Sequence, residues 1–162
     1  MSDVTDGVGA GVVGARSSPG GRVVVGVDAS AESKEALRWA GNYARFTGGS
    51  LEVVHAWHPA EEHAWLQSLP PPAGPTDVAH KALARVVDEV IGGSGSSLDV
   101  HTAVIEGHAA KVLVQAAEGA TLLVVGNRGF GGFEGLLLGS ISQQCAAHAP
   151  CTVVIVRANA AS

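Results

Sequence analysis

The sequence predicts an α/β protein with one parallel sheet and helices packed on both of its faces. Two observations carry that expectation. Five short runs rich in Val and Leu alternate with four stretches of helical periodicity, so each strand-to-strand connection holds a helix, as right-handed parallel crossovers require. The runs are continuously apolar, the mark of strands covered on both sides, and the apolarity is aliphatic: 46% of residues are hydrophobic and only 4% aromatic.

Each element can be justified in turn. Val23-Val24-Val25-Gly26-Val27 reads as the first strand. Ser30 is placed to cap a helix that runs to about Arg45 and is stopped by Gly48-Gly49. Residues 51–57 form the second strand, followed by a loop containing Pro70, Pro71, Pro72 and Pro75. A helix over about 76–90 comes next, with the stripe Ala79, Ala82, Leu83, Val86 and Val90 at helical spacing. Gly92, Gly93 and Gly95 end it. Residues 98–104 are the third strand, and the following helix has an apolar face of Ala109, Val112, Leu113, Ala116 and Ala117. Residues 121–125 are the fourth and most apolar strand, a glycine-rich loop leads to a short helix over about 140–148, and 152–156 closes the sheet. The 162 residues suit one domain, over 21–158, with residues 1–20 read as a flexible N-terminal tail and 159–162 as a C-terminal one.

Charge and composition exclude several functions. Ten Lys and Arg against fifteen Asp and Glu give a net charge of −5, opposite to the clustered cations that a nucleic-acid surface needs. No apolar run reaches the roughly 18 residues that span a bilayer, and the first residues lack the basic start of a secretory signal. A cytoplasmic protein is expected. Cys145 and Cys151 are too few for a disulfide framework or a four-cysteine zinc site and read as reduced core residues. Gly9, Gly11 and Gly14 match G-x-G-x-x-G, but no strand precedes them and no helix follows, so the match is set aside.

Ligands of doubly wound sheets bind beyond the carboxyl ends of the strands, which confines the search to loops 28–30, 57–75, 105–108 and 126–139. The last is the informative one. Gly126 ends the strongest strand, Gly139-Ser140 opens the last helix, and Ser140 with Gln143 has the spacing of a capping box. Free N–H groups and the positive end of the helix dipole make 139–142 an anion site, to which the Ser140 hydroxyl adds a donor. Glycines at 126, 129 and 139 let the backbone approach a ligand closely. No G-x-x-x-x-G-K-[ST] is present, so the lysine that supports rapid phosphoryl transfer is missing. Phosphate binding is the reading these residues favour.

The spacing Gly126-x2-Gly129-x9-Gly139-Ser140 resembles the nucleotide motif G-x2-G-x9-G-[ST] of the universal stress protein family. Val-Val-Gly-Val-Asp28-Ala-Ser30 is similar to the family's first strand and turn, and His148-Ala-Pro-Cys151 with Val153–Val156 to its closing segment. The resemblance covers about residues 22–157. It implies a three-layer, doubly wound sheet of strand order 3-2-1-4-5 and an ATP-type ligand at the switch point; a Mg²⁺ ion held through the nucleotide's phosphates is a better expectation than any site made of protein side chains alone. It also implies that Asp28 contacts the nucleoside, that the backbone of Ala56 meets the adenine edge, and that Gly126 lies beside the ribose. Gly129, Gly139, Ser140, Ile141 and Ser142 would then hold the phosphates. In that strand order residues 152–156 form an apolar edge, which a second copy would cover in a homodimer. His108, Thr121 and Thr152 depart from the family's usual residues, and none of them touches the phosphate motif.

Other readings stay open at this point. Asp28 suits a helix-initiating turn as well as ligand contact, and Arg128 suits a solvated cation as well as a phosphate partner. Trp57, Trp65, Phe130 and Phe133 could line a pocket or simply pack, and loop 58–75 could cover the site or lie loose on the surface. His55 and His58 point to opposite faces of a strand and make poor chelating partners, so no protein-held metal is expected. The functional expectation is an ATP-binding stress regulator without a catalytic residue. The alternatives are a slow ATPase or adenylate-processing enzyme using Asp28 as base, and a nucleotide-binding protein that prefers cAMP.

Overall fold

The computed structural model describes residues 18–58, 75–92, 97–128 and 137–158. Residues 1–17 of the expected N-terminal tail with the G-x-G-x-x-G match of Gly9, Gly11 and Gly14, the expected C-terminal tail, most of loop 58–75, Gly129, Phe130 and Phe133 lie outside them. The described elements are β1 (Arg22–Gly26), α1 (Ala31–Thr47), β2 (Ser50–Trp57), α2 (Pro75–Val90), β3 (Val100–Glu106), α3 (Ala109–Ala116), β4 (Leu122–Gly126), α4 (Ser140–His148) and β5 (Thr152–Val156).

All five strands are parallel, in the order β3-β2-β1-β4-β5. The expected doubly wound architecture is therefore present. Alternation along the strands splits the core in two. Val23, Val25, Leu51, Val53 and Val124 pack with Ala36, Leu37, Ala40, Leu83 and Val86 of α1 and α2. On the other face Val24, Val54, Leu123 and Val125 pack with Val112, Leu113 and Cys145 of α3 and α4. Strands covered on both sides read as unbroken apolar runs because both sets of side chains are buried.

Local chemistry sets the element ends. Ser30 caps α1, its Oγ accepting from Ser33 N–H at 3.2 Å, and Gly48 ends the helix in the left-handed conformation at φ 71°. β3 begins two residues later than the apolar pattern suggests, although Leu51 N–H already reaches the Asp99 carbonyl at 2.9 Å. At the amino end of the sheet the buried Glu52 receives Arg22, whose guanidinium also donates to the carbonyls of Ala116 (3.0 Å) and Glu118 (2.6 Å). One arginine thereby ties β1, β2 and the end of α3 together.

Candidate functional site

The chain fills the two sides of the central strand in turn: β1 leads through α1 to its neighbour β2, whereas β3 leads through α3 across the sheet to β4, on the other side of β1. Between the carboxyl ends of β1 and β4 this reversal opens a cleft of ≈ 170 Å³. It is lined by Asp28, Ala56, Gly126, Gly139, Ser140, Ile141 and Ser142, the anticipated residues that fall within the described chain, and Gly129 lies outside it. Ser33, Ala109, Leu113 and Arg128 are also part of the wall. From sequence, Ser33 has no assigned role and Leu113 only a place on the apolar face of its helix, because only tertiary packing brings the first turn of α1 and the buried face of α3 to the same opening.

At the β1 side, Ala29 adopts the left-handed conformation at φ 66°. That turn folds the Asp28 carboxylate back, so that Oδ1 accepts from both the N–H (3.0 Å) and the hydroxyl of Ser30. Ser33 Oγ in turn accepts from Asp28 N–H at 3.3 Å. Asp28 therefore orders the turn that leads into the helix and also borders the cleft.

At the β4 side, Gly139 rather than Ser140 is the N-cap of α4, and no side chain caps the helix. The expected capping box does not form. Gln143 instead turns its Nε2 to the Leu138 carbonyl at 3.0 Å, while among the described residues its N–H is the first in the helix to reach a backbone partner, Gly139 O at 3.0 Å. The N–H groups of Ser140, Ile141 and Ser142 thus stand at the open, positive end of the helix dipole. The Ser142 hydroxyl is committed to the protein, lying 3.0 Å from Asn127 O and 3.1 Å from Gly139 O. The Ser140 side is exposed. Arg128 approaches Glu32 at 4.0 Å, and its buried Nε has no hydrogen-bond partner among the described residues.

The two described glycines of the motif are not equivalent. A Cβ on Gly126 would meet the backbone and Cβ of Glu32 at 2.9 Å, so this glycine admits the first turn of α1. A Cβ on Gly139 would meet Arg128 Cα and Asn127 O at 3.5 Å, ordinary contact distances. No group of three His, Cys, Asp or Glu side chains converges among the described residues. His58 instead stacks on His108, with ring centroids 4.4 Å apart. No described helix is long and apolar enough to cross a membrane.

Comparison with known proteins places this geometry. Residues 21–157 match the model of the universal stress protein family. The chain is 34% identical over 140 residues to universal stress protein Rv2623 of Mycobacterium tuberculosis, covering 83% of this chain and 46% of that protein. It is 32% identical over 140 residues to a universal stress protein of Thermus aquaticus, covering 83% of this chain and 97% of the relative. The chain thus spans about half the length of the mycobacterial relative and nearly all of the Thermus one. A crystal structure of a universal stress protein in complex with cAMP superposes with a TM-score of 0.61 at 26% identity, covering 85% of this chain and 97% of that one.

Proposed function

The chain belongs to the universal stress protein family, and from that premise we propose that it binds an adenine nucleotide, ATP, in the cleft between β1 and β4. The observation that carries the reading is the open first turn of α4, whose N–H groups at Ser140, Ile141 and Ser142 border the cleft beside the Arg128 guanidinium. In this reading those amides and the backbone at Gly129 and Gly139 hold the phosphates, and Mg²⁺ is carried by the phosphate oxygens. Gly126 lies beside the ribose and Asp28 accepts from a ribose hydroxyl. The main chain of Ala56 meets the edge of the base, and Ala109 and Leu113 supply the apolar wall on which it rests.

The donors at the phosphate end are main-chain amides, the Ser140 hydroxyl and one arginine, groups that hold charge by hydrogen bonding. The nucleotide accordingly acts as a signal, and the protein as a cytoplasmic stress sensor whose state follows its occupancy. The β5 edge supports a homodimer. Val156 C=O accepts from Asn127 N–H of the β4 end, so by alternation the main chains of Val153 and Ile155 face away from the sheet, where a second copy of β5 would pair.

A second reading, a preference for cAMP, draws on the solved cAMP complex. Denaturing the purified protein and weighing the released nucleotide, followed by calorimetric titration with ATP, ADP and cAMP, separates the two. Tightest binding of ATP is expected. Tighter binding of cAMP would transfer the assignment to the second reading, and no binding of any of the three would overturn both.

A further inference from the structure

The ladder between β1 and β2 stops one rung short. Its last pair is Gly26↔Val54, yet the chains continue side by side, because Val27 N–H donates to the Val54 carbonyl at 2.9 Å. In a parallel ladder each residue turns its N–H and C=O to the same neighbour, and successive residues alternate. Val54 faces β1, so Ala56 faces that side too, and the next rung would run from Ala56 N–H to the Val27 carbonyl. The register contains no such pair. The Val27 carbonyl is met instead by a side chain, His55 Nδ1 at 2.8 Å. Ala56, meanwhile, lines the cleft.

We propose that His55 is a positioning residue: its imidazole holds the Val27 carbonyl out of the ladder and so reserves the N–H and C=O of Ala56 for the edge of a base. Nδ1 acts as the donor, since a carbonyl can only accept. A peptide edge of this kind offers one donor and one acceptor side by side, the complement of an aminopurine's ring nitrogen and exocyclic amino group. The proposal rests on the adenine-nucleotide reading above and assigns the step in the fold that makes base recognition available. The role does not depend on the phosphate end of the cleft, which is built on α4.

The test uses the full chain as wild type, His55→Ala and His55→Asn. Amide hydrogen exchange is followed by NMR without ligand, and calorimetric titrations use ATP and inorganic tripolyphosphate. In the wild type the Ala56 amide should exchange rapidly while that of Val27, bonded to Val54, is protected. In His55→Ala the rung should close, protecting Ala56 and weakening ATP about tenfold to a hundredfold while tripolyphosphate binds as before. His55→Asn, whose side-chain amide occupies the place of Nδ1, should retain the wild-type pattern. An Ala56 amide already protected in a wild type that binds ATP would defeat the His55 proposal alone. So would unchanged ATP affinity in His55→Ala, or equal weakening of ATP and tripolyphosphate. A wild type that binds neither ligand would defeat the nucleotide reading itself, whatever the exchange pattern, and the base-reserving role with it.

Discussion

Gly126 and Gly139 both border the cleft, and a methyl group added to each meets different surroundings. At Gly126 it would press on the Glu32 backbone, an overpacking that should cost about 1–3 kcal/mol. Gly126→Ala is therefore expected to lower the urea midpoint. At Gly139 the added carbon finds ordinary contacts, so Gly139→Val should melt within a few degrees of the wild type. It should nevertheless bind ATP at least about tenfold more weakly in calorimetry, because the larger side chain crowds the phosphate position. The motif's spacing is legible in the sequence; the reason for each glycine is not, since the neighbour of Gly126 is a helix nearly a hundred residues away in the chain. Glu52 makes the same point at the opposite end of the sheet. It stands amid an apolar run and becomes intelligible only beside Arg22. Glu52→Ala leaves that guanidinium half-buried without its counter-ion, and a loss of about 3 kcal/mol in urea unfolding is expected.

At the scale of elements, the five strands and four helices of the described residues could be anticipated from periodicity, with ends displaced by one or two residues. Those displacements have physical causes. The apolar pattern reports burial, whereas a strand ends where its ladder does, as the late start of β3 illustrates. Likewise Ser140 and Gln143 have capping-box spacing, but the backbone at Gly139 (φ −72°, ψ 167°) makes the glycine the cap and leaves the serine one place inside the helix. Helix α4 also carries Cys145, which burial raises from 9.0 to about 11. Its contribution to stability is complete below pH 9, where neither state has lost the proton. Above that the unfolded chain ionises while the folded one does not, so stability should fall between pH 9 and about 11. Urea midpoints across that window should decline more steeply in the wild type than in Cys145→Ala.

For the whole molecule, the topology places the cleft where the strand order reverses, and the sequence supports that placement because every crossover carries a helix. The other walls of the cleft come from separate layers: Ser33 from one face of the sheet and Leu113 from the other. No local pattern links them. The proposed homodimer belongs to this scale as well. Since the Val153 N–H faces away from β4, Val153→Pro removes a donor from the outer edge without touching the inner ladder. Light scattering should give twice the chain mass for the wild type and the single-chain mass for this variant, with the circular-dichroism spectrum of the two alike.

Cys145 lies one helical turn beyond Ser142, fully enclosed on the inner side of the short helix whose first turn faces the cleft. A disulfide reagent can reach that sulfur only when the helix lifts from the sheet, so the labelling rate of Cys145, as distinct from that of the half-buried Cys151, works as a clock for detachment. Whatever molecule grips the amides at the front of the helix should slow the clock, which gives the protein a built-in gauge of occupancy.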